Sequence, residues 1–194
     1  MSLEKLRSLA ERGDPSAQYN LGVWFADISD DPEATKHAML WWEKAAAQGH
    51  NQAQYNLGHC HYEGEMVNPD GVQAAKWFRL AAEGGMPQAQ FALALLYHQG
   101  CLVEQDMEKA LHWYLEASRQ GFPQAIFNLA DIHSQEGVHY DSVNAFKLFY
   151  IALVFGDENA KTRLEELVPK MTLEQIDQGQ QAAQAVLATA QRVS

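Results

Sequence analysis

The sequence predicts an all-α repeat protein built from stacked antiparallel helix pairs, and three observations support this prediction. A segment that starts with alanine and continues with an aromatic residue and a leucine recurs every 36 residues, beginning at Ala17, Ala53, Ala89 and Ala125. Two adjacent aromatic columns keep the same spacing: Trp41, Trp77, Trp113 and Phe149, and beside them Trp42, Phe78, Tyr114 and Tyr150. Glycines fall in register at positions 13, 49, 85 and 121. Self-similarity at a fixed period of this length is typical of repeat architectures.

The first helix of each unit is predicted to begin near a proline, at Pro15, Pro87 or Pro123. Proline suits the first helical turn because its missing N–H would have no partner within the helix. In the second unit Ala53, Leu57 and Cys60 recur at helical spacing, which indicates one buried face.

The second helix of each unit is predicted to begin at Asp70, Asp106 or Ser142, whose side chains can cap exposed backbone N–H groups. It ends before Gly85 or an equivalent glycine, because glycine accepts the left-handed conformation that terminates a helix. The strict recurrence of both aromatic columns favours a place in the core over a role in ligand stacking.

Small residues stand at one fixed position in each unit: Gly22, Gly58, Ala94 and Ala130. They leave room for a neighbouring helix to approach closely, and the aromatic columns are expected to fill the gaps between layers. One helix pair cannot bury its apolar face alone, so adjacent pairs are expected to stack and share a continuous core.

The predicted organisation is a single domain over residues 1–194. Residues 1–13 form a half repeat, residues 15–49, 51–85, 87–121 and 123–156 form four repeats, and residues 157–194 form capping helices. Thr172 and Gln175 predict a capping box for the last helix. The apolar face of that helix is expected to comprise Leu173, Ile176, Ala183, Val186, Leu187 and Ala190.

Composition excludes several functional classes. The net charge of −11 and the lack of a Lys/Arg cluster argue against nucleic-acid binding, which needs cationic side chains to displace counterions. An acidic surface favours a basic or neutral protein partner, although it also serves solubility alone.

No apolar run is long enough to span a bilayer, and two cysteines are too few for a disulfide-stapled fold. The charged N-terminus predicts a cytoplasmic protein, or a periplasmic or secreted one if a signal peptide has been removed.

The repeated residues resemble the Sel-one-like repeat (SLR) family, a relative of the tetratricopeptide repeats. The most faithful units contain Leu57-Gly58, Gly64, Val67, Asp70, Ala74 and Trp77-Phe78, and then Gly100, Val103, Asp106, Ala110 and Trp113-Tyr114. The first unit departs from the family at residues 28–31, where Ile-Ser-Asp-Asp replaces the glycine–valine loop, and the fourth has Phe149 in place of tryptophan. The resemblance implies a right-handed α/α superhelix, or solenoid, that works as an adaptor or scaffold, frequently in bacteria.

Relationship to the tetratricopeptide repeats implies that the first helices line a concave groove. It also implies that the residue before each Leu-Gly pair, or its Leu-Ala equivalent, faces the groove: Asn20, Asn56, Ala92 and Asn128. An asparagine there offers a donor and an acceptor to the backbone of a bound peptide. The predicted partner-binding residues are Asn20, Asn56, His59, Tyr62, Leu95, His98, Asn128 and Asp131, with Asn56, His59, Tyr62 and His98 at the centre. The alternative is that these asparagines bond within or between helices.

No residue pattern points to a cofactor, a metal or a catalytic centre. His59 and His61 are two residues apart, so they point to different sides of a helix, whereas zinc pairs normally stand at i and i+4. Cys60 falls in a core column, and Cys101 falls in a loop as an inert or a reactive thiol.

The predicted function is therefore a non-enzymatic scaffold that binds a protein or peptide. The alternatives are a secreted or periplasmic factor acting on a host or cell-envelope partner, and a hydrolase or transferase acting on a cell-wall-type substrate. Self-association, through the groove or an end of the stack, is a further possibility.

Overall fold

The structure is a computed structural model that describes residues 2–27, 32–64 and 66–190. These residues form eleven α-helices and one 3₁₀ turn, with no β-strand among them. The helices are α1 (Leu3–Glu11), α2 (Pro15–Asp27), α3 (Pro32–Ala47), α4 (Asn51–Glu63), α5 (Gly71–Glu83), α6 (Pro87–Gln99), α7 (Met107–Arg119), α8 (Pro123–Ser134), α9 (Ser142–Val154), α10 (Asn159–Leu167) and α11 (Leu173–Ala190), with the 3₁₀ turn at Val168–Lys170. The predicted all-α class of stacked helix pairs is confirmed.

The helices belong to two compact units, residues 1–110 and residues 111–194, with the boundary inside α7. In the first unit α2 packs on α3 and α4 packs on α5, while contacts of α3 with α4 and of α5 with α6 join successive pairs. In the second unit α8 packs on α9, and α9 also contacts α10 and α11.

The predicted helix starts are largely confirmed. Prolines begin α2, α6 and α8. Asp70 caps α5 by accepting hydrogen bonds from the N–H groups of Val72 and Gln73 at 2.9 and 3.0 Å. The prediction that Ser142 caps α9 is wrong. Asp141 is the cap and accepts from the N–H of Asn144 at 2.9 Å, because its carboxylate reaches the first turn while Ser142 is already helical and buried.

Glycine ends the second helices, as predicted. Gly49, Gly85 and Gly121 have φ values of +82°, +83° and +76°, a conformation that other residues rarely adopt. The neighbouring backbone bonds close the turn: the N–H of Gly85 donates to the carbonyl of Ala82 at 3.0 Å, and that of Met86 donates to Ala81 at 3.1 Å.

The small residues within α2 and α4 permit close helix crossing inside each pair. A Cβ atom added at Gly58 would lie 2.4 Å from Cδ1 of Phe78, and one added at Gly22 would lie 2.5 Å from Cδ1 of Trp42. Both distances are shorter than real carbon contacts, so a ring of the second helix occupies the space that glycine leaves.

The two aromatic columns are not equally buried, contrary to the prediction that both are core. Trp42, Phe78 and Tyr114 are buried, whereas the preceding tryptophans, Trp41, Trp77 and Trp113, are only half-buried. In the fourth repeat the order is reversed, since Phe149 is buried and Tyr150 is half-buried. Adjacent helical positions point about 100° apart, so one column faces the partner helix while its neighbour reaches the edge of the layer.

A buried glutamine ties each of three first helices to the end of the preceding second helix or half repeat. The Nε2 atoms of Gln18, Gln54 and Gln90 donate to the carbonyls of Ala10, Ala46 and Ala82 at 3.1, 3.0 and 3.2 Å. The fourth repeat has Ile126 at this position, which is buried without such a bond. These bonds satisfy carbonyls that the end of a helix would otherwise leave without partners.

The C-terminal helix α11 begins with the predicted capping box. The N–H of Thr172 donates to Oε1 of Gln175 at 2.9 Å, and the N–H of Gln175 donates to Oγ1 of Thr172 at 3.2 Å. The predicted apolar face is only partly correct, because Leu173 is 87% exposed and Val186 is also exposed. Gly179 is buried instead, where an added Cβ would lie 2.7 Å from Cδ1 of Phe146.

The irregular loop of the first repeat, residues 28–31, lies outside the described residues. Among the described helices, none combines the length and apolar character needed to cross a lipid bilayer.

Candidate functional site

A surface hollow of about 200 Å³ opens between α4 and α6 in the first unit. We call it the α4–α6 hollow and define it by its lining residues, which are Tyr55, His59, Tyr62, Glu63, Phe78, Phe91, Ala92 and Leu95. The first helices of the second and third repeats supply seven of these residues, and the second helix α5 supplies Phe78.

Three rings of α4 surround the buried ring of Phe78. The ring centres of Tyr55, His59 and Tyr62 lie 5.8, 5.9 and 6.5 Å from that of Phe78, and the His59 ring meets it edge-on. Positions 55, 59 and 62 share one face of an α-helix because they are four and three residues apart. The spacing of these residues along α4 therefore places three aromatic side chains on the face that packs against α5.

The polar atoms of the hollow stand at its rim. The Tyr62 hydroxyl donates to Oε1 of Gln99 at 3.0 Å and so links α4 to α6, while Nε2 of His59 lies 3.1 Å from the Tyr55 hydroxyl. Burial raises the pKa of Tyr55. The pKa of Tyr62 is also raised, first by burial and then by the negative charge of Glu63. Both phenols therefore keep their protons at neutral pH.

Of the residues predicted to bind a partner, the structure brings His59, Tyr62 and Leu95 together in the hollow. Asn56 does not line it, although it lies one turn before His59 on the same face of α4 and is half-buried. His98 and Asn20 also lie outside the lining. The carbonyl of His98 accepts from Nε2 of Gln105 at 2.8 Å, and Asn20 is exposed on α2.

In the second unit both predicted residues already have intramolecular partners. Nδ2 of Asn128 donates to the Tyr114 hydroxyl at 3.2 Å, which is the bond between helices that the alternative interpretation expects. Asp131 forms an ion pair with Arg163 and accepts from Nε2 of Gln135 at 2.8 Å. This ion pair raises the pKa of Arg163, so the guanidinium stays charged.

Ala92 belongs to the column predicted to face the groove, and the remaining four residues of the hollow were not predicted: Tyr55, Glu63, Phe78 and Phe91. Tyr55, Phe91 and Phe78 belong to columns that recur every 36 residues, and strict recurrence predicts a structural role. They line the hollow because α4, α5 and α6 pack together, and only that packing shows which residues of these helices meet.

The described residues contain no group of three or more His, Cys, Asp and Glu side chains that could hold a metal ion. Cys60 is buried, as predicted, with its Sγ 3.5 Å from Sδ of Met66, and Cys101 is exposed in a loop. Nδ1 of His61 is buried without a hydrogen-bond partner among the described residues.

The stacked helix pairs and the α4–α6 hollow define a helical-hairpin repeat protein with a small apolar surface site. The Sel1 repeat family model matches four consecutive segments, residues 15–50, 51–86, 87–122 and 123–153. The chain therefore belongs to the Sel1 repeat family. Proteins of this family generally mediate protein–protein interactions and generally act as non-catalytic repeat scaffolds.

Solved structures show the same similarity. A protective antigen present in uropathogenic Escherichia coli strains, which displays an SLR fold, is 33% identical over 84% of this chain, with a TM-score of 0.78. A Sel1 repeat protein from Oxalobacter formigenes is 29% identical over 80% of this chain, with a TM-score of 0.68. The matched regions span 35% and 62% of those two chains. No curated protein matches this sequence.

Proposed function

We propose that the chain is a non-enzymatic interaction scaffold that binds an extended peptide segment of another protein across α4 and α6. The observation that carries this proposal is the α4–α6 hollow, where Tyr55, His59, Tyr62 and Phe91 are half-buried or exposed rather than sealed in the core. A hollow lined by aromatic side chains with a few polar atoms at its rim is typical of a recognition site.

The faces of the first helices supply polar contacts beside this hollow. Asn56 lies one turn from His59, so its amide is placed to hydrogen-bond the peptide backbone, which both donates and accepts. We propose the same role for Asn20 in the first repeat. Asn128 and Asp131 in the second unit would have to exchange intramolecular bonds for bonds to a partner, so we place them at the periphery of the site.

Charge favours a basic or neutral partner. The chain has a net charge of −11, and Glu63 lines the hollow itself. Opposite charge on the partner would accelerate its association, and this effect weakens as salt screens the charges. Two free cysteines, one of them buried, suit a reducing compartment, so we propose the cytoplasm as the site of action.

One observation favours a second candidate, a secreted or periplasmic factor that acts on a host or cell-envelope partner. The 33% identical structure belongs to a protective antigen of uropathogenic Escherichia coli strains. Fractionation of the native cells with an antibody against this chain distinguishes the two locations, since recovery outside the cytoplasm supports the second candidate and excludes the first.

Site-specific crosslinking in the native cells tests the proposed function. The photoreactive residue p-benzoylphenylalanine replaces Gln99 at the rim of the hollow in one variant and exposed Leu80, on the second helix α5, in the control variant. We expect discrete protein adducts from position 99 that decrease when Tyr62→Ala is added. Identical adducts from both positions, or none from position 99, would contradict a binding site at the hollow.

A further inference from the structure

One pair of sequence positions recurs in successive repeats. It consists of a residue of the second aromatic column, or Leu6 in the half repeat, and the residue fourteen positions later: Leu6 and Asn20, Trp42 and Asn56, Phe78 and Ala92, and Tyr114 and Asn128. Three of the four pairs contain an asparagine, and only the Phe78–Ala92 pair has no polar side-chain atom.

The last of these pairs shows what the position does when it is polar. Tyr114 and Asn128 are hydrogen-bonded at 3.2 Å, although Tyr114 itself is completely buried. This pair thus places a hydroxyl and an amide between successive repeats, where an apolar ligand would have to desolvate them. In the first repeat the buried Nε1 of Trp42 lies against Gly22 of the same repeat, without a hydrogen-bond partner among the described residues.

The Phe78–Ala92 pair coincides with the α4–α6 hollow, because both residues line it. Ala92 ends at its methyl group, which leaves open the space that an asparagine would fill, and the ring of Phe78 carries no hydroxyl. The hollow of about 200 Å³ is smaller than the pockets that hold drug-sized ligands or cofactors, and it suits a single large side chain.

We propose that the α4–α6 hollow is an anchor pocket for one apolar side chain of the bound peptide, and that the Phe78–Ala92 pair determines this specificity. The inference rests on the proposed function and adds the chemistry of the partner: a leucine, methionine or aromatic residue with a lysine or arginine close to it in sequence. Burial of one such side chain in a desolvated pocket supplies much of the binding energy at protein interfaces.

Glu63 is the reason for proposing a lysine or arginine beside the apolar residue of the peptide. It lines the hollow beside the aromatic rings, and its carboxylate is exposed, so it can pair with a cation of the peptide while the apolar side chain enters. Such an exposed pair adds little affinity but selects against acidic partners. A peptide with an apolar residue between acidic ones is therefore expected to bind more weakly.

Selection from a phage-displayed library of random peptides on the full chain tests this inference. The key variant combines Phe78→Tyr with Ala92→Asn and so copies the pair that the chain already carries at Tyr114 and Asn128. We expect wild type to enrich peptides with an apolar residue next to lysine or arginine, and the variant to bind them at least about tenfold more weakly. Ala92→Leu fills the hollow without adding polarity and should weaken binding equally, which keeps the test valid if the double variant does not fold.

The outcomes separate the inference from the proposed function. Enriched peptides without an apolar anchor, or equal affinity for wild type and for a folded variant, would overturn the anchor pocket and leave peptide binding intact. No enrichment on wild type would overturn both. If wild type instead forms a dimer in sedimentation experiments that Ala92→Leu makes monomeric, the occupant is a second copy of this chain and the peptide anchor is refuted.

Discussion

Gly58 of α4 lies directly against the ring of Phe78 in α5, so close that an added Cβ would stand 2.4 Å from Cδ1 of that ring. Phe78 is 1% exposed and cannot swing outward without opening the core of its repeat. The same ring forms the floor of the α4–α6 hollow. The crossing of α4 and α5 therefore positions the candidate binding site as well as the core.

Replacement of Gly58 by leucine is expected to destabilise the protein. The larger side chain must push Phe78 or separate the two helices, at a cost of about 1–3 kcal/mol. Thermal unfolding followed by circular dichroism measures this loss. Gln52→Leu, an exposed position on the same helix, is the matched control and should leave the melting temperature nearly unchanged. A Gly58→Leu variant as stable as wild type would show that the crossing is not tight.

Tyr114 is expected to make stability decrease at alkaline pH. Burial raises the pKa of Tyr114 to about 12, although the hydrogen bond from Asn128 acts in the opposite direction. The unfolded chain, whose tyrosines titrate near about pH 10, releases this proton first, so stability is lost as the pH rises above that value. Denaturant unfolding from about pH 8 to about pH 11 should therefore show a steeper loss for wild type than for Tyr114→Phe. If the unfolding free energies of wild type and Tyr114→Phe fall in parallel with pH, Tyr114 is not the source of the loss.

His50 is expected to produce the opposite dependence, on the acid side. Its Nδ1 caps α4 by accepting from the N–H of Ala53 at 3.3 Å, and its ring stacks on Tyr19 at 4.7 Å. Burial lowers the pKa of His50, against the opposing effects of its backbone hydrogen bond and the charge of Asp14. The unfolded state thus takes up the proton first, and stability present above about pH 6.5 is lost as the pH falls.

The variant His50→Asn retains a capping side chain but removes this titration. Between about pH 8 and about pH 5, wild type should lose stability relative to the variant, as measured by urea unfolding at each pH. The difference in unfolding free energy between wild type and variant removes the contribution of the other seven of the chain's eight histidines, which both proteins share. A pH-independent difference would show that His50 does not titrate with folding.

Gly179 is expected to fix the docking of α11 on α9. A Cβ at this position would lie 2.7 Å from Cδ1 of Phe146, so Gly179→Val should force α11 away from α9. Hydrogen exchange within α11 should then accelerate while exchange in α2 to α6 stays unchanged. Gln180→Val changes an exposed neighbour on the same helix and controls for the β-branched side chain. Equal protection in both variants would contradict the assigned contact.

Periodicity predicts the fold because every repeat must solve the same packing problem. Ala53, Gly58 and Gly85 each have equivalents in the other repeats at a spacing of 36 residues. This recurrence predicts two helices, a close crossing and a glycine turn in each repeat, and the structure has all three. The errors arise where one residue decides the geometry. Asp141 rather than Ser142 caps α9, because Ser142 is already the first residue of the helix. Gly179 rather than Leu173 is buried in α11, because the docking of that helix on α9 decides which of its residues face the core.

The candidate site is less accessible to sequence reasoning than the fold. The helical spacing of His59 and Tyr62 predicts a shared face, and the structure brings both to the hollow with Leu95. Ala92 was predicted to face the groove, and it lines the hollow. Its effect on specificity was not predicted, because a missing side chain has no pattern of its own. That effect is recognised only when Ala92 is compared with the equivalent residues Asn20, Asn56 and Asn128, and when Phe78 is seen to line the same hollow.

Nuclear magnetic resonance of the ¹⁵N-labelled chain, titrated with a peptide selected on it, tests the central claim most directly. The account predicts that amide shifts concentrate on α4 and α6, around Tyr62, Ala92 and Leu95, and that Tyr62→Ala abolishes them while retaining the dispersed spectrum of a folded protein. Shifts confined to α3, α5 and α11, or spread evenly over the chain, would place the interaction elsewhere and contradict the account.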